Sequence, residues 1–136
     1  MSEHGRVWLL NEMTACEVLS LEGGFNNFAR ALHLSSVGDM LETKGPYTVF
    51  APPDDAFNAS TIGLVMSAAK LDEMLRDFIV PGRYPLESLR RLQVIKAASG
   101  RHLTISCHDG VEVNGAKIAK PDVPYNKGII HELLKL

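Results

Sequence analysis

The chain is poor in cysteine, with Cys16 and Cys107 its only two, and their distance in sequence fits neither a Cys-x-x-Cys redox pair nor a zinc spacing. A disulfide between them would close a long loop and add ~4 kcal/mol in the entropic account. The reading adopted is two small buried hydrophobes, because free cysteine is among the most buried residue types. An excess of charge of one sign is also missing. A net charge of −2 drives the chain towards neither nucleic acid nor an anionic membrane, so no nucleic-acid partner is expected.

Long apolar runs are missing as well. A membrane helix needs ~20 apolar residues, whereas the longest candidate, Ile62 to Ala69, is short and carries Gly63 and Ser67. No transmembrane segment is expected. Met1-Ser2-Glu3-His4 lacks a basic leader region, and Asn11 and Glu12 interrupt the apolar character that follows, so no signal peptide is expected either.

Catalytic templates are absent: no Gly-x-Ser-x-Gly elbow, no phosphate loop, no dinucleotide fingerprint and no His-Glu-x-x-His. His4, His33, His102, His108 and His131 form no i, i+4 pair on an expected helix, so no metal site is expected. Cys107 and His108 are neighbours on a strand, where adjacent side chains take opposite faces and cannot act as nucleophile and base. Neither an enzyme nor a cofactor is expected.

What is present suits one globular domain over residues 1–136, large enough to bury about two thirds of its unfolded surface. Phe25, Phe28, Ala29 and Leu32 recur at helical spacing, as do Leu71, Met74, Leu75 and Phe78, and Ser36 to Leu41 reads as a short helix. From Gln93 the period becomes two. Strands are predicted at Arg101 to Cys107, Val111 to Val113, Ala116 to Lys120 and Gly128 to Leu134, with turns at Asp109-Gly110 and Asn114-Gly115. The fold class is α+β: helices packed on a small twisted β-sheet or β-wedge, with a C-terminal β-meander.

The densest signal is Gly45-Pro46-Tyr47-Thr48-Val49-Phe50-Ala51-Pro52-Pro53-Asp54-Asp55-Ala56-Phe57. Tyr47 to Phe50 suits a pleated strand, Pro52-Pro53 ends it, and Asp54 is placed to accept from the N–H groups of a following helical turn. With Val113-Asn114-Gly115-Ala116-Lys117-Ile118, Asp122-Val123 and Gly128-Ile129-Ile130-His131, this segment resembles the two signature motifs of the fasciclin-like domain family. The resemblance covers nearly the whole chain. It assigns structural roles to Thr48, Phe50, Pro52, Asp54, Phe57, Asn114, Gly115, Gly128 and His131, with His131 tying the last strand to the body of the fold. Gly128 is expected to supply a positive φ.

The resemblance also implies an adhesion or binding module with a protein or glycan partner, monomeric and secreted or at the cell surface. The alternative is a small-molecule-binding protein or hydrolase with a cleft hidden from sequence. Adhesive members carry a Tyr-His pair after the central helix, where this chain has Asp77 and Phe78, so that site does not carry over. A second adhesive motif, Glu-Pro-Asp-Ile-Met, corresponds here to Lys120-Pro121-Asp122-Val123-Pro124. Lys120, Pro121, Asp122 and Val123 are therefore the candidate partner-binding residues, on a loop expected from Lys120 to Lys127; the competing reading gives Asp122 a purely local backbone bond. Arg83, Arg90, Arg91, Lys96 and Arg101 read as solvated surface charge, with an acidic glycan the ligand if they act together.

Overall fold

A computed structural model describes residues 10, 12–57 and 68–135. The expectations for Met1 to His4 and most of Ile62 to Ala69, and any helix after Phe57, lie outside the described residues.

Three helices open the described chain, α1 (Ala15–Glu22), α2 (Asn26–Leu34) and α3 (Ser36–Thr43). β1 (Tyr47–Ala51) follows, then α4 (Ala68–Arg76), β2 (Ile79–Pro81), the one-turn α5 (Leu86–Leu89) and β3 (Val94–Lys96). The chain ends in β4 (His102–Cys107), β5 (Val111–Val113), β6 (Ala116–Tyr125) and β7 (Gly128–Leu133). The strands form one mixed sheet in the order β2-β1-β7-β6-β5-β4-β3, parallel at β1–β7 and antiparallel at every other pairing. Its ends curl towards each other, and the N–H of Ala98 beyond β3 donates to the carbonyl of Ile79 on β2 at 2.7 Å. The fold is α+β, nearly closed into a barrel.

Curling gives the sheet two apolar sides. Val49 and Ala51 of β1 and Ile130 of β7 pack with Val18, Phe28 and Leu32 under the helices. Phe50, Leu103, Val113 and Leu133 fill the inside of the curl. Period two in β1 produces this split. β7, flanked by β1 and β6, is buried at every residue, which is why its sequence reads as nearly continuous apolar character.

The helix caps follow the sequence except at one point. Thr14 and Glu17 form a reciprocal capping box on α1, and Ser35 accepts from the N–H of Val37 on α3. The N-cap of α2, Phe25, has no side-chain acceptor. Asp54 supplies it from 27 positions away: its Oδ1 accepts from the N–H of Asn27 at 2.8 Å, while its own N–H donates to the carbonyl of Gly24 at 2.8 Å. This corrects the expectation of a local cap. Asp54 ties the strand exit to α2, and Phe57 packs edge-on against Phe28 at 5.6 Å beside it. Asp54→Ala is expected to cost about 1 kcal/mol, the usual worth of an N-cap, whereas Asp54→Asn retains most stability. Urea unfolding of both variants checks this.

Two further expectations are corrected. Gly128 has no positive φ; it sits where an added Cβ would run into the carbonyl oxygen of Tyr47, so glycine is needed for close strand approach. Positive φ falls instead at Asn114 (51°) and Gly115 (84°), a two-residue turn joining paired Val113 and Ala116. The expected loop from Lys120 is mostly strand, since β6 runs on to Tyr125 and only Asn126 and Lys127 form the turn. Pro121 and Pro124 are tolerated because β5 pairs with β6 only at Ala116 and Lys117, leaving the later residues one strand neighbour.

Candidate functional site

Residues from distant parts of the chain converge on the segment Gly82 to Leu86. Thr48, fully buried in β1, donates its hydroxyl to the Gly82 carbonyl at 2.7 Å and accepts from the Tyr84 N–H at 2.8 Å. The Tyr84 carbonyl accepts from Nε2–H of His131 at 2.8 Å, and Nδ1 of His131 accepts from the N–H of Asp122 at 3.2 Å. Those two partners fix the neutral tautomer with its proton on Nε2. Asp122 completes the circuit: its Oδ1 accepts from the N–H of Leu86, the first residue of α5, at 2.9 Å. Arg83 adds a bond from Nη1 to the Gly128 carbonyl at 3.0 Å.

His131 is wholly buried and lies nearly parallel to the Phe50 ring, centroids 5.7 Å apart. Burial pushes its pKa down, partly offset by the Tyr84 carbonyl and the Asp122 charge. Both nitrogens are spent on backbone groups, so the ring is a strut between β7, β6 and the Tyr84 segment. Asp122 stands in a β-bulge where the β6–β7 register shifts, with φ of 60°. Aspartate tolerates that left-handed conformation better than most residues because its short side chain bonds locally.

The four candidate partner residues are thus placed unequally. Lys120 and Asp122 are exposed and Pro121 is half-buried. Val123 is buried in the core under the helices, so it cannot meet a partner directly.

Lys120 belongs to a second cluster. Its Nζ lies 2.8 Å from Oε1 of Glu22, at the end of α1, and its strand partner across β6–β7 is Glu132. Glu132 is only 6% exposed, and its Oε2 meets no donor among the described residues. Two ionised carboxylates cannot bond each other, whereas one shared proton satisfies both. Burial first, then the hydrogen bond and charge of Glu22, push Glu132 up to about 8. The bond from Glu132 and the ammonium of Lys120 hold Glu22 below the ordinary carboxylate range. Sequence reasoning missed this pair. Its available signal was a glutamate inside the otherwise uncharged strand Gly128–Leu133.

Elsewhere the sequence candidates stay apart. Asn114 Oδ1 accepts from the N–H of Thr104 at 2.7 Å, holding the turn to β4. Arg83 is engaged with β7, Arg101 lies 3.5 Å from Asp77, and Arg90, Arg91 and Lys96 are exposed. The cysteines are free thiols; Cys16 is half-buried and pushed up to about 11 by burial and by Glu42 and Glu17. Cys107 is exposed at the end of β4, correcting its expected place in the core. Among the described residues no group of three acidic, His or Cys side chains could hold a metal, and no helix is long and apolar enough to cross a membrane.

The comparisons agree with this architecture. The Fasciclin domain family matches residues 23–136. An uncharacterised protein of Synechocystis, sll1735, is 32% identical over 119 residues, covering 85% of this chain and 90% of that one. The transforming growth factor-beta-induced protein ig-h3 of Sus scrofa is 26% identical over 88% of this chain, which spans only 18% of that protein. The solved FAS1 domain pair of the insect cell adhesion molecule fasciclin I superposes with a TM-score of 0.69 at 14% identity, over 90% of this chain and 50% of that one. With the family matched along most of the chain and the same fold in a solved domain pair, this chain belongs to the fasciclin domain family.

Proposed function

We propose that the chain is a non-enzymatic binding module of the adhesion type, a single monomeric domain that recognises a protein or glycan partner at a cell surface or envelope through Lys120, Pro121 and Asp122. The observation that carries this reading is the fixed presentation of that segment. Among the described residues the outer flank of β6 has no strand neighbour beyond Lys117, yet its backbone is pinned by His131 and by the Asp122 bond to Leu86. A partner would therefore meet a charge pair already ordered, at low entropic cost. Pro121 and Pro124 remove two N–H donors from the flank, which favours recognition by side chains over strand addition. The similar solved domain pair comes from a cell adhesion molecule, which supports the same class. The buried histidine, with both nitrogens tied to backbone, has none left for proton transfer.

Asp122→Asn retains both the acceptor and a side chain that tolerates left-handed φ, and removes only the charge. Against a panel of immobilised glycans and extracellular-matrix proteins, Asp122→Asn and Lys120→Gln are each expected to bind about fivefold more weakly than the parent protein, chiefly through slower association. Each variant is measured where its melting midpoint shows it folded. Parent-like binding by both folded variants would overturn the placement of the site.

A further inference from the structure

A pocket of about 360 Å³ opens between α4 and the curled sheet, and neither Lys120 nor Asp122 lines it. Its floor is Phe50, Leu103, Val113 and Leu133, all buried members of the core inside the curl. Met74 of α4 and Phe78, both half-buried, form one wall. The volume lies within the range of small-molecule sites, and an apolar floor with few polar rim groups is their usual composition.

The rim carries Asp77, Arg101 and Asn114. Asp77 is occupied: Oδ1 accepts from the Ser99 hydroxyl at 2.6 Å, and Oδ2 has Nη1 of Arg101 at 3.5 Å. That long contact is the one ion pair Arg101 makes among the described residues, so the rest of its N–H fork is unused. Asn114 spends its Oδ1 on the Thr104 N–H, and no described group accepts from its amide nitrogen. The rim's unpartnered N–H groups are therefore those of Arg101 and Asn114, while each Asp77 oxygen already holds a partner. An acceptor, best an anionic one, complements those donors.

We infer that this pocket binds a small carboxylic acid with an apolar body, the hydrocarbon or ring seated between Phe50, Phe78 and Leu103 and the carboxylate on Arg101 and Asn114. A neutral molecule of the same shape fills the floor but leaves the rim donors to water. An ammonium compound meets Arg101 head-on, and the one carboxylate on the rim, Asp77, already faces Ser99 and Arg101. The inference is independent of the adhesive reading, since it shares none of its residues.

The test titrates the folded protein with 4-phenylbutyrate and with decanoate below its micelle concentration, using decanol as the uncharged control and amide NMR shifts as the readout. Both acids are expected to move Phe78, Leu103 and Asn114, to raise the melting midpoint and to bind about tenfold more tightly than decanol. Arg101→Gln is expected to reduce acid binding to the decanol level and leave decanol unchanged. Met74→Trp, which fills the wall from a half-buried position on α4, is expected to abolish all three; if it fails to fold, the Arg101→Gln comparison decides alone. No binding of either acid, shifts confined to residues outside this pocket, or equal acid affinity in Arg101→Gln would each overturn the proposal.

Discussion

Replacing His131 with alanine is expected to destabilise the fold by about 3 kcal/mol, a drop in melting midpoint of about 10 °C for a domain of this size. The imidazole satisfies two buried backbone groups at once, the Asp122 N–H and the Tyr84 carbonyl, and lies against Phe50 with none of its surface exposed. Alanine leaves both groups unpaired and opens a cavity between β7 and the Tyr84 segment. Phenylalanine would fill the volume but not the bonds, so His131→Phe should recover part of the loss and locate the rest in the unpaired groups. The imidazole is neutral in the fold because burial lowers its pKa, while in the unfolded chain it titrates near 6.5. As pH falls below that value the unfolded chain takes up a proton that the native ring refuses. Stability therefore falls on the acid side, and His131→Phe should lose this part of the acid sensitivity. A melting midpoint unchanged by His131→Ala would show that the circuit contributes nothing.

The residues that name the family were legible because each meets a backbone demand that few side chains can meet. Asn114-Gly115 needs two consecutive positive φ values, Pro52-Pro53 needs a strand to stop, and alternation along Leu103 and Ile105 needs one buried face. The roles of Asp54, Asp122 and Gly128 were legible only in part, because their partners are far away in sequence. Asp54 caps a helix 27 positions earlier, Asp122 reaches Leu86 36 positions earlier, and Gly128 makes room for Tyr47. Nothing in the local pattern announces those distances. Pro121 and Pro124 spoke for a loop because proline is rare in central strands, and only the early end of β5 pairing shows why a strand accepts them.

The second large effect concerns Glu132, and it is expected to appear as stability that declines with rising pH. The unfolded glutamate loses its proton near 4.5, whereas burial and Glu22 hold the native carboxyl up to about 8. Between those values the native state binds one proton more, so stability falls as pH rises and levels off above 8. Five other groups shift in separable windows. Glu22, held low, acts only below 4.5; Cys16, Tyr125 and Lys120, all held high, act only above 9.0; and His131 opposes Glu132 only below 6.5. The range from pH 6.5 to 8 therefore isolates Glu132, and about 2 kcal/mol is expected to be lost across it. Glu132→Gln keeps the shape, can donate its amide to Glu22 and cannot ionise. Its stability is expected to stay level through the same range and to exceed that of the parent protein at pH 8, with the difference between the two curves cancelling every other titrating group. Glu22→Gln also removes the facing charge, so the parent slope should shrink there too as Glu132 returns towards an ordinary pKa. Denaturant unfolding of the three proteins across the range reads all of this directly, and parallel curves for parent and Glu132→Gln would mean that the native state holds no extra proton at this pair.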